Sequence, residues 1–145
     1  MLDSVAFRPD IIVTTQEGVS LVVEAKLTMP NLERTEEQLK QYMFGMQCPV
    51  GLLITPERMW MYRDSYTSRS PQSVEFVGEF NLESLWQQPP PSQGESFERF
   101  VQQWLEYLAA QPIGELPKPF QEALREYVLP AVTNGDVRAA HPRYS

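Results

Sequence analysis

Hydrophobic and polar positions in the first part of the chain predict a β-hairpin. Apolar, mostly β-branched runs occupy residues 11–13 and 19–23, and the polar sequence TTQEG separates them. A three-residue loop at residues 16–18 would place Gly18 in the left-handed conformation that closes such a turn. Because both runs are almost continuously hydrophobic, we expect both faces of the hairpin to be covered, as in an α/β sandwich.

An amphipathic helix is predicted next, in the sequence PNLERTEEQLKQYMFGM. Asn31 follows Pro30 as the predicted N-cap, and acidic residues in the first turns suit the positive end of the helix dipole. Gly45 marks the predicted end of the helix. The residues whose helical spacing directs them to the core are Leu32, Thr35, Leu39, Tyr42 or Met43, and Met46.

The pattern after this helix predicts more strands and then more helices. Residues 48–63 predict a strand, a tight turn and a second strand, and residues 74–80 roughly alternate, as in a further short strand. Residues 97–108 carry apolar side chains at helical spacing, which predicts a second amphipathic helix. A shorter helix is predicted for residues 120–128, ended by Pro130.

This order of elements indicates an α/β protein with a β-β-α-β-β core and C-terminal helices. We expect residues 1–86 to form the α/β core and residues 87–94, QQPPPSQG, to form a proline-rich linker or surface loop. The helices of residues 95–130 should pack on the core or on a partner. Residues 131–145 are polar, which predicts a mobile or partner-bound tail.

Composition restricts the function classes. The 145-residue chain has a net charge of −7, which argues against a broad basic surface for nucleic acid, although Arg58, Arg63 and Arg69 form a candidate local strip. A single cysteine, Cys48, excludes an intrachain disulfide and fits the reducing cytoplasm. No apolar run approaches the roughly 20 residues that span a bilayer, and we expect neither a membrane segment nor a secretion signal.

The predicted hairpin register gathers charged side chains at one end of the strand pair. With the loop at residues 16–18, Thr15 pairs with Val19, and the same register sets Asp10 opposite Glu24 on one face. Because side chains alternate along a strand, Lys26 lies on that face as well. Two carboxylates this close repel each other unless a cation joins them.

Metal-assisted hydrolysis of a phosphodiester is the chemistry that these groups suggest. The expected ion is Mg²⁺, which takes oxygen ligands, and Mn²⁺ could substitute for it. Asp10 and Glu24 are the candidate carboxylate ligands, and the main-chain carbonyl of Ala25 is a further candidate. Lys26 could orient or deprotonate an attacking water, or stabilise charge that develops on a phosphate. The only histidine, His141, lies in the polar tail, so catalysis by paired histidines is excluded.

A known family shares this arrangement. Pro9 and Asp10, followed after thirteen residues by Glu24, Ala25 and Lys26, resemble the motif of the PD-(D/E)xK nuclease superfamily, which has the restriction-endonuclease-like fold. The spacing of RPD and VVEAK is most similar to the N-terminal nuclease domain of type I restriction-enzyme motor subunits. The resemblance covers roughly residues 8–63.

The resemblance implies a role for each motif residue and a mixed sheet with flanking helices. Asp10 and Glu24 would bind the metal, and Lys26 would be catalytic. The helix residues Gln38 and Tyr42, which match a Gln-x-x-x-Tyr pattern, would lie beside the site and position substrate or lysine. The implied substrate is DNA.

One departure from the family concerns the region before the Pro-Asp strand. Many members begin with a helix that often carries another acid, whereas only MLDSVAFR stands there in this chain. We expect that helix to be missing, displaced or replaced by the C-terminal helices, where Glu98 and Glu106 are candidate substitutes. The alternative function is a catalytically silent module in protein assembly or nucleic-acid binding, with a homodimer formed through the C-terminal helices.

Overall fold

A single six-stranded sheet with helices on both faces forms the structure, a computed structural model that describes residues 8–86, 88–110 and 116–141. The predictions for residues 1–7, for Gln87, for residues 111–115 of the predicted helical region and for residues 142–145 lie outside the described residues. The strands are β1 Ile11–Thr15, β2 Gly18–Ala25, β3 Val50–Ile54, β4 Arg58–Asp64, β5 Val74–Asn81 and β6 Asp136–Ala139.

The sheet is mixed, with the spatial order β5-β4-β3-β2-β1-β6. β1 and β2 form the predicted antiparallel hairpin, and β2 pairs in parallel with β3. A parallel neighbour requires a crossover, which helix α1, Leu32–Met46, supplies between these two strands. β3, β4 and β5 continue as an antiparallel meander. The prediction of an α/β chain with a mixed sheet is confirmed.

Helix α1 begins where the sequence predicts and ends later. The Asn31 side chain accepts a hydrogen bond from the Arg34 N–H at 3.3 Å, as an N-cap does. Gly45 lies inside the helix, and Gln47 takes the left-handed C-cap position with a φ of 54°. Leu39 and Met43 are buried as predicted, but Met46 is 48% exposed because the last turn is not covered.

The sheet carries a hydrophobic cluster on each face. Under α1, Leu39 and Met43 pack on Val22, Leu53 and Tyr62. The opposite face carries the larger cluster, where the side chains of β1 to β4 meet those of the C-terminal helices. Both faces of the hairpin are therefore covered, as its continuous hydrophobicity predicted.

The C-terminal helices pack on the core within the same chain. Helix α2, Gly94–Leu108, buries Phe97, Val101 and Leu105 against the sheet. Trp86 anchors the segment that leads to α2, since its indole N–H donates to the Pro56 carbonyl at 2.9 Å. No helix within the described residues combines the length and apolar character needed to cross a bilayer.

The prediction that Pro130 ends the last helix is wrong. A continuous helical run links α3, Lys118–Ala123, through a π-helical turn at Leu124–Val128 to α4, Leu129–Thr133. Proline removes one backbone donor and crowds the preceding turn, and a wider π turn relieves that conflict without ending the helix. Pro130 therefore stands in the first turn of α4, where proline is tolerated.

The prediction of a mobile or partner-bound polar tail is also wrong for residues 131–141, the part of it that the structure describes. Strand β6 pairs antiparallel with β1 at the edge of the sheet, with Val137 opposite Val13. The Ala140 N–H then donates to the Asp10 carbonyl at 3.0 Å, one step beyond the ladder. This pairing brings His141 to the end of the hairpin that carries Asp10.

Candidate metal centre

The hairpin reaches the predicted register at the site by a different turn. Ile11 pairs with Val23 and Val13 with Leu21, as predicted. The turn itself is tighter, since Thr15 pairs with Gly18 instead of Val19, and a bulge at Ser20 restores the register. The predicted three-residue loop is therefore wrong, but the extra residue in the bulge leaves the strand ends aligned as expected.

Asp10 is the most firmly held side chain of the site. It is 1% exposed, its Oδ2 accepts from the Ala25 N–H at 2.8 Å, and its Oδ1 accepts from Lys26 Nζ at 3.0 Å. Its own N–H donates to the Val23 carbonyl at 3.0 Å. Buried carboxylates need such donors, because an unpaired buried charge costs several kcal/mol.

Glu24 shares this corner of the hairpin with Asp10. Burial and the charge of Asp10 raise the pKa of Glu24 to about 8, and a side-chain hydrogen bond between the two carboxyl groups acts in the same direction. Its Oε1 is buried and has no hydrogen-bond partner in the described part of the chain. The two acids therefore meet as the register predicted. The charge of Lys26 acts in the opposite direction, but the pKa stays raised, so Glu24 holds a proton at neutral pH when no metal ion is bound.

Lys26 completes the group that the motif predicted. Burial alone would lower the pKa of Lys26, but the charge and hydrogen bond of Asp10, with the charge of Glu24, raise it above its ordinary value. The ammonium therefore remains charged. Ala25 contributes its N–H to Asp10, whereas the role of its carbonyl as a metal ligand stays a prediction.

Two further side chains join the cluster from the C-terminal part of the chain. Glu98 of α2 is 8% exposed, and His141 Nε2 lies 3.6 Å from Asp10 Oδ1. Candidate ligand atoms of Asp10, Glu98 and His141 all lie within 4.8 Å of one another. Glu98 was one of the two candidate acids named from the sequence; the other, Glu106, is exposed on the same helix.

His141 is the site residue that the sequence analysis missed. The signal available was short: Asn134 and Gly135 predict a turn, and Val137 and Ala139 then alternate with charged residues as in an edge strand. A four-residue strand carries too little periodicity to be separated from a polar tail by pattern alone. The strand that it pairs with, β1, lies more than a hundred residues earlier in the sequence.

Gln38 and Tyr42 lie on α1, over the face of the sheet that carries Val22. Tyr42 is half-buried against this cluster, and burial raises the pKa of its hydroxyl. Gln38 is also half-buried, and it makes no hydrogen bond to the carboxylates among the residues that the structure describes. Their predicted supporting role therefore stays a prediction.

The candidate basic strip is largely neutralised within the sheet. Arg58 pairs with Glu79 at 2.7 Å, and Arg63 pairs with Glu75 at 3.0 Å, each across β4 and β5. Arg69 is exposed in the loop between these strands. A phosphate would have to compete with these glutamates for the first two guanidinium groups.

The donor set suits a divalent cation. The carboxylate oxygens of Asp10 and Glu98 are ligands that hard cations prefer, and they lie close to the imidazole of His141. Glu24 is not a member of this close group, but its buried Oε1 lacks a donor in the described residues. No protein-family model, curated protein or solved structure matches this chain. The assignment of a function therefore depends on the geometry of this site.

Proposed function

We propose that the chain is a metal-dependent nuclease domain that hydrolyses phosphodiester bonds in DNA. The observation that carries the proposal is the convergence of Asp10, Glu24 and Lys26 at one end of the hairpin, with Lys26 Nζ 3.0 Å from Asp10 Oδ1. Membership of the PD-(D/E)xK superfamily, with its restriction-endonuclease-like topology, is part of this proposal. The mixed sheet and the β2-α1-β3 crossover support it.

Lys26 is assigned to charge stabilisation. Its raised pKa favours the ammonium form, which can orient a water by donating a hydrogen bond or face the charge that builds on a phosphate oxygen. A general base must lose its proton first, and Asp10 opposes this loss by holding the ammonium at 3.0 Å. Of the roles open to Lys26 from the sequence, water orientation and charge stabilisation are therefore preferred.

The carboxylates are assigned to the metal. Asp10 and Glu98, whose ligand atoms lie within 4.8 Å of each other, would hold Mg²⁺ or Mn²⁺ together with Glu24, which shares the corner with Asp10. The bound ion would neutralise negative charge on the phosphate. Glu24 must release its proton to act as a ligand, and a nearby cation lowers its pKa by favouring the ionised form. The Asp10 carboxylate is already held by two hydrogen bonds, from the Ala25 N–H and from Lys26 Nζ. Orienting it for a metal ion therefore costs little conformational entropy.

DNA cleavage by matched variants tests the proposal. We expect the wild type to cut plasmid or single-stranded DNA with Mg²⁺ or Mn²⁺, and Asp10→Ala and Lys26→Ala to lose about 100-fold or more of the rate. Lys118→Ala removes an exposed lysine of α3 and serves as the control. No cleavage by the wild type with either ion, or equal rates in all four proteins, would contradict the proposal.

A catalytically silent module of the same fold is the second candidate. The ion pairs of Arg58 and Arg63 with glutamates favour it, because they reduce the positive charge available to a nucleic acid. A wild type that binds Mn²⁺ but cuts neither DNA form would support this candidate. The apolar face of α2 is buried within the chain, so a homodimer through the C-terminal helices would have to use their outer surfaces.

A further inference from the structure

We propose that Asp10, Glu98 and His141 form the primary metal-binding set, and that His141 makes the site prefer Mn²⁺ to Mg²⁺. This inference rests on the proposed function for its catalytic consequence, although metal binding can be measured without cleavage. It differs from the set predicted from the hairpin, which contained Asp10, Glu24 and the Ala25 carbonyl. The three side chains come from the start of β1, from α2 and from the residues after β6.

Backbone pairing fixes the approach of His141 to Asp10. β6 pairs with β1 from Asp136 to Ala139, and the Ala140 N–H donates to the Asp10 carbonyl at 3.0 Å. The imidazole Nε2 consequently lies 3.6 Å from Asp10 Oδ1. Neighbouring ligands around one ion lie about 3 Å apart, so small side-chain rotations would bring these atoms onto a common ion.

Burial of the acids supports a cation rather than a solvated cluster. Asp10 is 1% exposed and Glu98 is 8% exposed, so neither carboxylate is solvated as a surface acid would be. Lys26 is one cation beside these acidic groups. Buried carboxylates in excess of their counterions are unfavourable, and a bound divalent ion would remove that excess.

A buried acceptor oxygen beside Asp10 provides an independent indication. Glu24 Oε1 is buried, and it has no hydrogen-bond donor within the described ranges of the chain. Buried oxygens without donors are uncommon in proteins, and a cation with its bound waters would satisfy this one.

The imidazole determines which ion fits best. Mg²⁺ takes nearly all-oxygen octahedral sites and retains much of its water, whereas first-row transition ions accept imidazole nitrogen readily. A set of two carboxylates and one imidazole therefore favours Mn²⁺ over Mg²⁺. Loss of the imidazole should remove that preference and leave an oxygen site at which the two ions bind more equally.

Mn²⁺ binding can be followed by the loss of the electron paramagnetic resonance signal of the free ion, with Mg²⁺ measured by competition. We expect the wild type to bind Mn²⁺ about tenfold more tightly than Mg²⁺, and His141→Ala to weaken Mn²⁺ binding about tenfold with a smaller effect on Mg²⁺. Arg138→Ala is the matched control, because Arg138 lies exposed on β6 and contacts Thr14, and its affinity for Mn²⁺ should equal that of the wild type.

Two results would overturn the inference: unchanged Mn²⁺ affinity in His141→Ala, or equal affinity of the wild type for the two ions. Glu98→Gln preserves shape and should also weaken Mn²⁺ binding; if it fails to fold, the His141→Ala result alone decides. Lys26→Ala separates this inference from the proposed function, since it should abolish cleavage and retain Mn²⁺ binding. Mn²⁺ binding through His141 without any cleavage would refute only the nuclease proposal.

Discussion

Asp10 connects every part of the candidate site. Its carboxylate receives hydrogen bonds from Ala25 and Lys26, its carbonyl receives one from Ala140, and its Oδ1 faces His141. The same residue therefore orders the end of the hairpin, the Lys26 side chain and the edge strand. Replacing Asp10 should disturb both the fold and the chemistry, so a loss of cleavage in Asp10→Ala is interpreted together with that in Lys26→Ala, which removes one hydrogen bond to Asp10.

Glu24 should make the metal-free protein less stable as the pH rises. Its pKa is about 8 in the folded chain and 4.5 without burial, so its stabilising contribution is complete below pH 4.5 and is lost as the pH rises towards 8. The Gln side chain of Glu24→Gln stays neutral at every pH. As the pH rises towards 8, the free energy of unfolding of this variant should therefore exceed that of the wild type by about 1–3 kcal/mol, a range that allows for partial solvent exposure. Urea unfolding in EDTA at several pH values measures the difference.

Glu106→Gln, at an exposed position of α2, is the control for this experiment. It should follow the wild-type dependence on pH. Parallel stability curves for Glu24→Gln and the wild type would show that the two carboxyl groups do not share the corner of the hairpin in the way described.

Cys48 should be chemically inert in the folded protein. Its thiol is buried and donates to the Val50 carbonyl at 3.2 Å, and burial raises its pKa to about 12. At pH 8 the thiolate fraction should be about 1,000-fold lower than for an exposed cysteine, and labelling by a thiol reagent should slow accordingly. Labelling at the same pH in concentrated urea should be fast; equal rates in both conditions would contradict the burial of Cys48.

Strand β6 depends on a close approach that only glycine permits. A β-carbon at Gly135 would overlap the Val13 side chain and lie 2.7 Å from the Ala131 carbonyl oxygen. The turn between α4 and β6 could then no longer pack against β1. Gly135 therefore controls the position of the strand that leads to His141.

Gly135→Ala should cost about 1–3 kcal/mol of stability and weaken Mn²⁺ binding as well, because the displaced strand moves His141 away from Asp10. Thermal melting and Mn²⁺ titration measure the two effects. Gly94→Ala is the control, since a β-carbon there meets nothing within 4 Å, and its stability should change by less than about 0.5 kcal/mol. A Gly135→Ala variant with wild-type stability and affinity would contradict this role of the turn.

The elements that could be predicted are those with a strong local pattern. The hairpin, α1, the strands after it and α2 each carry many periodic residues, and their existence and type are confirmed. The ladder near Asp10 was also predictable, since a one-residue slip would move the apolar side chains of β1 to the wrong cluster. The turn between β1 and β2 could not be predicted, because a bulge in β2 compensates for a shorter loop and gives the same register at the strand ends.

The remaining features depend on contacts between distant segments. The π turn before Pro130, the pairing of β6 with β1 and the place of Glu98 beside Asp10 follow from packing that no short window of sequence contains. The motif therefore predicted the half of the site that the hairpin supplies. For the other half, the sequence named Glu98 only as one of two candidate acids, and the folded chain showed that Glu98 and His141 are the residues beside Asp10.

The molecule as a whole combines a negative net charge with a candidate cation site. Its charge of −7 would repel DNA, and two arginines of the sheet are already paired with glutamates. Under the proposed function, a bound divalent ion would offset part of this charge where the phosphate of the substrate approaches. Metal binding and nucleic-acid binding should therefore be coupled.

Mn²⁺ should stabilise the fold, because an ion that binds only the native state raises its stability by mass action. At a free concentration about 100 times the dissociation constant, the gain is about 2.7 kcal/mol, which corresponds to a rise in melting temperature of about 8 °C for a chain of this size. EDTA should reverse the rise, and Asp10→Asn should remove it. An unchanged melting temperature in the wild type at saturating Mn²⁺ would exclude a site built from these groups.

The position of β6 in the chain has a consequence for biosynthesis. A growing polypeptide emerges from the ribosome at about 5–20 residues per second, so Asp10 and Lys26 are exposed several seconds before residues 136–141 follow. The nascent chain can form the hairpin early, but the proposed set of metal ligands stays incomplete until the edge strand docks. The proposed metal centre would therefore be assembled only after residues 136–141 have emerged and paired with β1.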